Sequence, residues 1–378
     1  MLLVSEPVLG REEMAAVAQV IEEGWITLGP RVETFEKTFA ERHGAMDAVA
    51  VDSCTAALHL ALEALGIGPG DEVLAPSLTF VATINAIHYT GAEPVLIDIE
   101  SLDHPLMSLD EAAERVTPRT RAVMLMHYAG HLSDRDAWRA FADRRGLLLI
   151  EDAAHAVGVP DVGSYGDAAA FSFYGNKNMT TAEGGMILMR DAALLERARR
   201  MRAHGMTSNA HQRLRARSSQ YDVISPGWNY RMDEMRAALG LVQLSRLEAL
   251  NARRAELAAL YRQRLGPLQK QGVLGIPFSR GGISAHHIFP VVLPAGADRA
   301  EVMAAMSARG VQTTVHYQPV HELSFYRSRW PDLKLTVTEE FACRELTLPL
   351  HAKMTDSDID LVAVSLEAAL SQVSGVAA

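Results

Sequence analysis

The chain has 378 residues, of which 48% are hydrophobic and 22% charged, and its formal net charge is −10. The length suggests two domains, or one large domain with an appendage. The composition is typical of a globular protein and excludes intrinsic disorder, a collagen-like protein and a small disulfide scaffold. An acidic chain without a basic run is also a poor candidate for binding nucleic acid.

Short apolar runs alternate with segments of helical period between residues 50 and 190. The runs that predict strands are 72–75, 94–98, 122–126, 147–150, 168–173 and 185–189, and the helical patterns between most of them are 56–65, 81–89, 109–116 and 135–143. This alternation predicts an α/β domain with a mainly parallel, doubly wound sheet. Such sheets bind their ligands beyond the carboxyl ends of the strands.

A long helical pattern from about residue 232 to 265 leaves this domain. It is followed by a predicted strand (287–293), helix (299–309), strand (312–315) and final helix (356–370), which together indicate a smaller α+β unit. We therefore predict a large domain at residues 1–250, with residues 1–15 free to pack on the small domain, and a small C-terminal domain at residues 251–378.

Three features of the sequence lead us to expect a cytoplasmic protein. Only two cysteines, Cys54 and Cys343, are present, which favours a reducing compartment. The N-terminus reaches a charge at Glu6, too early for a secretory signal. The longest uncharged stretch, residues 73–92, contains proline and several polar residues, so we interpret it as buried strand, loop and helix, with no membrane contact.

Three small polar residues, Ser53, Cys54 and Thr55, separate an apolar run from an Ala- and Leu-rich helix. The start of a helix exposes unpaired backbone N–H groups and the positive end of the helix dipole, so this segment can bind an anion. An ordinary N-cap by Ser53 or Thr55 explains the same residues.

Asp152 and Lys177 follow two of the predicted strands. Asp152 follows the strand 147–150 and can pair with a protonated ring nitrogen, with His155 packed against the ring, although a helix cap by Asp152 is an equal alternative. Lys177 lies in the loop after the strand 168–173, where a lone lysine is usually a solvated charge. Together, however, the anion site, the carboxylate and the lysine match the phosphate, ring nitrogen and aldehyde of pyridoxal 5′-phosphate.

These segments resemble the DegT/DnrJ/EryC1/StrS family, which comprises sugar aminotransferases of the aspartate-aminotransferase fold (fold-type I) that use pyridoxal phosphate. The resemblance extends from about residue 5 to 370 and depends on the order and spacing of many motifs. These are Gly24-Trp25, Gly29-Pro30, Phe35-Glu36, residues 53–58, residues 76–80, Ala82-Thr83, Gly166-Asp167, residues 171–173, Lys177-Asn178, residues 183–185, residues 229–232, His316-Tyr317, Pro319 and His321.

The resemblance implies a set of site residues. Lys177 takes the Schiff-base position and Asp152 that of the acid facing the pyridinium nitrogen, and these two are the expected catalytic residues. The other expected cofactor contacts are Ser53, Cys54, Thr55 and Ser172 around the phosphate, Phe80 and His155 on the two ring faces, and Asn229. The expected substrate contacts are Trp25, Thr27, Tyr174, Arg231, His316 and Tyr317.

Asn229 matches a residue that reaches the cofactor of a neighbouring subunit, which implies a homodimer with shared active sites. Three departures from the family pattern are visible: His155 stands where Gln is frequent, Cys54 where Gly is commonest, and the stretch from His155 to Gly166 is short. None of them alters Lys177 or Asp152.

The implied reaction moves an amino group from glutamate or glutamine to a nucleotide-linked keto-deoxysugar, with pyridoxamine 5′-phosphate formed in the half-reaction. Residues 316–321 slightly favour C-4 over C-3 amination. Alternative acceptors are a keto-cyclitol or another antibiotic precursor. A pyridoxamine-dependent dehydratase is disfavoured because that branch replaces the lysine by histidine, and a non-catalytic sensor is the least favoured interpretation.

The other polar clusters of the sequence have ordinary structural explanations. Basic candidates for the diphosphate of such a substrate are Arg202, His204, Arg231 and His316, each equally explained by a surface salt bridge or structural hydrogen bond. No metal is expected, although His127, His131 and Asp134 loosely imitate a metal site.

Overall fold

The computed structural model describes residues 1–374. Its larger sheet has seven strands in the order β1-β7-β6-β5-β4-β2-β3. They are β1 (Val49–Val51), β2 (Glu72–Pro76), β3 (Glu93–Ile97), β4 (Thr120–Met126), β5 (Leu148–Asp152), β6 (Ala168–Ser172) and β7 (Gly185–Met189). All neighbouring strands are parallel except that β7 is antiparallel to both β1 and β6. The mainly parallel α/β sheet predicted from the sequence is therefore confirmed.

Thirteen α-helices are found within residues 1–374. They are α1 (Arg11–Glu23), α2 (Pro30–Arg42), α3 (Cys54–Ala64), α4 (Val81–Tyr89), α5 (Leu109–Glu114), α6 (Arg135–Arg145), α7 (Ala192–Met201), α8 (Ala210–Ala216), α9 (Glu234–Lys270), α10 (Arg299–Ala308), α11 (Ser324–Arg327), α12 (Thr336–Arg344) and α13 (Asp356–Ser374). None of the described helices is long and apolar enough to cross a membrane.

The strand interiors are mostly apolar because helices cover both faces of the sheet. Successive side chains of a strand point to opposite faces, and β4 shows the consequence. Met124 packs with α3 and α4 on one face, whereas Val123 and Leu125 pack with Trp138 of α6 on the other.

The direction of the strands gathers polar residues at one edge of the sheet. The carboxyl ends of β2, β4, β5 and β6 lie there because these strands are parallel. Strand β1 runs in the same direction as β6, since both are antiparallel to β7. Gly185, the first residue of β7, pairs with both Val51 and Ser172, so it lies at the same edge.

A second, two-stranded sheet joins β8 (Phe289–Val292) and β9 (Glu345–Leu348), which are antiparallel. Its core includes the C-terminal half of α9 and side chains of α10 and α13. The N-terminus attaches here, because Leu2 pairs with Val311 and Val4 accepts a hydrogen bond from Leu350. Helix α9 passes residue 250 without a break, so the domain boundary at that residue stays a prediction.

The strand predicted at residues 312–315 is wrong. This stretch makes only isolated bridges, because its backbone partner changes from Leu2 at Val311 to Thr347 at Thr314, which prevents a continuous ladder. The regular partner of β8 is β9, which the sequence analysis did not predict.

Candidate active site

A cavity of about 510 Å³ opens at the polar edge of the larger sheet. It gathers residues at or just beyond the carboxyl ends of β1, β2, β4, β5 and β6, together with two residues near β9. Of the predicted site residues, its lining contains Ser53, Cys54, Thr55, Phe80, Asp152, His155, Ser172, Tyr174, Lys177, His316 and Tyr317.

Four predicted site residues do not line this cavity. Trp25 donates a hydrogen bond from Nε1 to the carbonyl of Leu28, at 3.2 Å, and Thr27 is exposed. Arg231 pairs through its backbone with Val51, and Asn229 is exposed on the same segment. The role expected of Asn229 needs a second copy of the chain, so it stays a prediction.

Helix α3 begins at the cavity because Ser53 caps it. The Ser53 backbone is extended, and its Oγ accepts a hydrogen bond from the N–H of Ala56 at 3.1 Å. Cys54 and Thr55 are the first two residues of the helix, so no carbonyl one turn earlier in the helix accepts their N–H groups. The N-cap and the anion site are therefore compatible interpretations of the same segment.

Strand β7 passes very close to the start of α3. A Cβ atom on Gly185 would lie 2.6 Å from the carbonyl carbon and oxygen of Ser53 and 2.8 Å from the N atom of Cys54. Only glycine therefore allows β7 to support the start of this helix without displacing it.

Gly185→Ala is therefore expected to move the start of α3 and weaken binding of a phosphate-bearing cofactor by about tenfold or more, as overpacking typically costs 1–3 kcal/mol. Gly175→Ala is the matched control, because a Cβ atom on Gly175 would meet nothing within 4 Å. Titration of the cofactor-free proteins with pyridoxal phosphate measures both affinities. Equal losses of cofactor affinity in the two variants would contradict the role of Gly185 in supporting the start of α3.

Asp152 lies at the end of β5 with only 4% of its surface exposed. Its Oδ2 accepts a hydrogen bond from Thr83 Oγ1 at 2.7 Å, and its Oδ1 accepts one from the N–H of Ala154 at 3.1 Å. Residues 153–160 form turns, so Asp152 does not cap a helix. Burial raises the pKa of this carboxyl group, while the hydrogen bonds and the positive charge of Lys177 oppose the shift.

Lys177 is held in the loop after β6, where its N–H donates to the carbonyl of Tyr174 at 3.0 Å. Removal of water around the amine lowers the pKa of Lys177 to about 8, although Cys54 and Asp152 act in the opposite direction. A lysine with such a pKa is partly neutral near physiological pH, so its Nζ can act as a nucleophile and as a base.

Two histidines and two aromatic rings line the opposite wall. The Nε2 atom of His155 lies 2.9 Å from the hydroxyl of Tyr317, whose ring centroid is 5.9 Å from that of Phe80. The Nδ1 atom of His316 lies 2.9 Å from Thr347 Oγ1. Burial lowers the pKa of His155 well below its usual value and that of His316 to about 3, so both rings are neutral.

The sequence analysis did not predict two contacts made by Asp152 and Lys177 in the cavity. Thr83 bridges Thr79 and Asp152 through its hydroxyl, and His287 places Nε2 3.5 Å from Nζ of Lys177. Thr83 belongs to a quoted motif, Ala82-Thr83, which could have drawn attention to it. No sequence signal connects His287 with Lys177, because the two residues are 110 positions apart.

Other polar candidates have structural partners. Arg202 is buried and donates to Glu36 and to the carbonyl of Ala50, so it is not free to bind a diphosphate. His127 contacts Glu151 and Tyr165 through Nε2, both at 3.1 Å. Within residues 1–374 no group of three or more His, Cys, Asp or Glu residues is arranged to hold a metal ion.

The comparisons with known proteins agree with this geometry. The model of the DegT/DnrJ/EryC1/StrS aminotransferase family matches residues 7–367. The chain belongs to this family. The predicted resemblance and the aminotransferase activity are thereby confirmed.

Three solved structures illustrate the similarity. The aminotransferase TlmJ from Streptoalloteichus hindustanus is 36% identical, with a TM-score of 0.90 over 99% of this chain and 100% of that one. Helicobacter pylori PseC, an aminotransferase involved in the biosynthesis of pseudoaminic acid, is 26% identical, with a TM-score of 0.91 over 98% and 99% of the two chains. Spr1654 from Streptococcus pneumoniae is 27% identical; its PLP form has a TM-score of 0.89 over 98% of both chains, and its PMP form one of 0.90 over 98% and 99%.

The cavity fits pyridoxal phosphate on its own chemistry. It combines a helix start that favours an anion, a buried carboxylate that favours a facing cation, and a lysine of lowered pKa. The Nδ1 atom of His155 is buried and lacks a hydrogen-bond partner within the described residues. The apolar faces of Phe80 and His155 suit the planar ring of such a cofactor.

Proposed function

We propose that this aminotransferase, with pyridoxal phosphate as its cofactor, moves an amino group from glutamate or glutamine to the keto carbon of a nucleotide-linked deoxysugar. The observation that carries the proposal is the Lys177 amine, whose pKa is lowered to about 8 and which lies in one cavity with the buried carboxylate of Asp152. We further propose C-4 as the aminated carbon and a homodimer as the working assembly.

Each part of the cofactor has a candidate partner in the cavity. Cys54, Thr55 and Ser172 would hold the phosphate, with backbone N–H groups at the start of α3 and the hydroxyls of Thr55 and Ser172. Asp152 would face the ring nitrogen, and its negative charge would keep that nitrogen protonated. Lys177 would hold the aldehyde carbon through Nζ.

When bound, the cofactor supplies an electron sink for the bond that breaks at the α-carbon of the donor. The chain supplies the proton transfers. When its amine is free, Nζ of Lys177 would serve as the base that takes a proton from the α-carbon of the donor and returns one beside the reacting carbon. Its lowered pKa suits both directions near neutral pH.

The rim of the cavity supports a sugar-nucleotide acceptor. Phe80 and Tyr174 are 58% and 51% exposed, so their rings offer apolar surface on which a sugar or base can pack. Neutral His155 and His316 and the hydroxyl of Tyr317 can bind a carbonyl or hydroxyl group without placing a charge there. One relative, PseC, takes part in the biosynthesis of pseudoaminic acid, which agrees with a sugar acceptor.

The test separates the two half-reactions. The loaded enzyme is mixed with L-glutamate or L-glutamine, and we expect its absorption to change to that of the pyridoxamine form, with one equivalent of oxo acid released. The pyridoxamine form is then offered nucleotide-linked 4-keto- and 3-keto-deoxysugars and a keto-cyclitol, and the aminated products are measured by mass spectrometry.

Amination of the 4-keto sugar is the expected result. Exclusive amination of the cyclitol would mean that the acceptor is a keto-cyclitol and not a nucleotide-linked sugar. Loss of a hydroxyl without gain of nitrogen would indicate a dehydratase. A spectrum that does not change with any amino donor would favour a sensor.

A further inference from the structure

A chain of hydrogen bonds leads from the protein core to the amine of Lys177. Asn251 donates from Nδ2 to the carbonyl of Val157 at 3.0 Å and accepts at Oδ1 from Nδ2 of Asn178 at 2.8 Å. The Oδ1 atom of Asn178 lies 3.0 Å from Nδ1 of His287, whose Nε2 lies 3.5 Å from Nζ of Lys177.

These hydrogen bonds determine which nitrogen of His287 carries the proton. Asn178 also donates from Nδ2 to the carbonyl of Ala285 at 2.7 Å, and a carbonyl can only accept, so the orientation of the Asn178 amide is determined. Its Oδ1 must therefore accept from His287, which places the hydrogen on Nδ1. In a neutral imidazole the other nitrogen, Nε2, then presents its lone pair to Lys177.

The ring of His287 is also fixed in position. The residue is 3% exposed, its N–H donates to the carbonyl of Ala129 at 3.1 Å, and its own carbonyl accepts from Nη1 of Arg254 at 3.1 Å. Arg254 belongs to α9 and also donates to the carbonyl of Leu350. The acceptor is therefore rigid relative to the lysine, which reaches it from a loop.

We propose that His287 is a positioning residue for Lys177, whose amine donates a hydrogen bond to Nε2 of His287 whenever it is not bonded to the cofactor. The inference rests on the proposed function of Lys177 as the cofactor-binding lysine. It gives the displaced amine a defined place beside the reacting carbon, and Asn178 and Asn251 act through His287 to maintain the acceptor.

The surroundings of the pair are compatible with this role. The titratable groups that face Lys177 are Cys54, Asp152, His155, His287 and His316. Burial, together with the nearby positive charges of Lys177 and Arg254, lowers the pKa of His287 well below its usual value, and His155 and His316 act in the same direction. The ring therefore stays neutral and keeps its lone pair over the working pH range.

The test uses cofactor-free protein. The rate at which Lys177 reacts with a small amine-reactive reagent is measured at several pH values by mass spectrometry of the peptide that contains it. The pH dependence of this rate gives the pKa of the amine. His287→Asn removes the acceptor at the Nε2 position, and we expect the pKa of Lys177 to fall by one to two units, because hydrogen bonds to charged groups are worth about that much. His287→Gln can place its amide oxygen near the position that Nε2 occupies in the wild type, and it is expected to keep the pKa of Lys177 close to the wild-type value.

His286→Asn is the matched control, because this neighbour directs its ring at His131, with the centroids 5.9 Å apart, and not at Lys177. An unchanged pKa in His287→Asn, or equal falls in the Asn and Gln variants, would overturn the proposal. If His287→Asn does not fold, the ¹⁵N NMR spectrum of histidine-labelled wild type decides, since a hydrogen on Nε2 of His287 would also overturn it.

The two proposals fail in different ways. A pKa that falls as expected in an enzyme that no amino donor converts would refute the proposed function and leave the role of His287 intact. Normal transamination with a pKa insensitive to His287 would refute only the positioning role.

Discussion

Replacing Lys177 by alanine is expected to abolish the absorption band of the lysine-bound cofactor and to reduce transamination by at least about 10³-fold. The variant loses both the covalent attachment point and the base for the proton transfers. The helix start and Asp152 remain, so the variant should still bind pyridoxal phosphate without a covalent bond.

Borohydride treatment provides the measurement. In the wild type it should fix the cofactor to the peptide that contains Lys177, and in the variant it should label no peptide specifically. Lys37→Ala is the control, because Lys37 is exposed and its only ion pair within residues 1–374, to Glu41, spans 3.9 Å. Labelling of a different lysine in wild type would mean that Lys177 is not the anchor.

The pKa of Lys177 adds a pH dependence to this prediction. Only the neutral amine attacks an aldehyde, and the pKa is about 8, so loading of the cofactor-free enzyme should become faster as pH rises through that value. An ordinary solvated lysine would show the increase only near pH 10. Stopped-flow mixing with pyridoxal phosphate at several pH values distinguishes the two.

The sequence predicts the edge of the larger sheet well because the signals there are local. Each apolar run ends at a polar residue, as Asp152 ends β5, and parallel strands bring those ends together. Ser53 is recognisable because an N-cap depends on residues two or three positions away.

The structural features that the sequence does not predict depend on contacts between distant segments. The strand β9 was missed, and residues 312–315 were assigned wrongly, because pairing with Leu2 and Thr347 cannot be inferred from local alternation. The lowered pKa of Lys177 follows from burial in the assembled cavity, and its contact with His287 crosses 110 residues. A single sequence does not contain either signal.

Asp152→Asn is expected to lower transamination by on the order of 10² to 10³-fold, because it removes the negative charge that stabilises a protonated ring nitrogen. Asparagine has nearly the same shape and can keep one acceptor for Thr83 or for the N–H of Ala154. The loss therefore reports the charge and not the packing. Thr83→Val is the companion variant, since it removes a hydrogen bond to Oδ2 but keeps the carboxylate, and its effect should be smaller.

Thermal unfolding of Asp152→Asn with and without cofactor provides a second measurement. The substitution should change the Tm of the cofactor-free and cofactor-bound forms in opposite directions. Burial raises the pKa of Asp152 above its unfolded value, so the folded state keeps its proton to higher pH and loses stability as pH rises past the unfolded pKa. At pH 7 the ionised carboxylate therefore destabilises the cofactor-free protein, and asparagine should raise its Tm. With cofactor bound, the facing cation reverses that cost, so the same substitution should lower Tm. Equal decreases in both forms would mean that Asp152 serves the fold and not the cofactor.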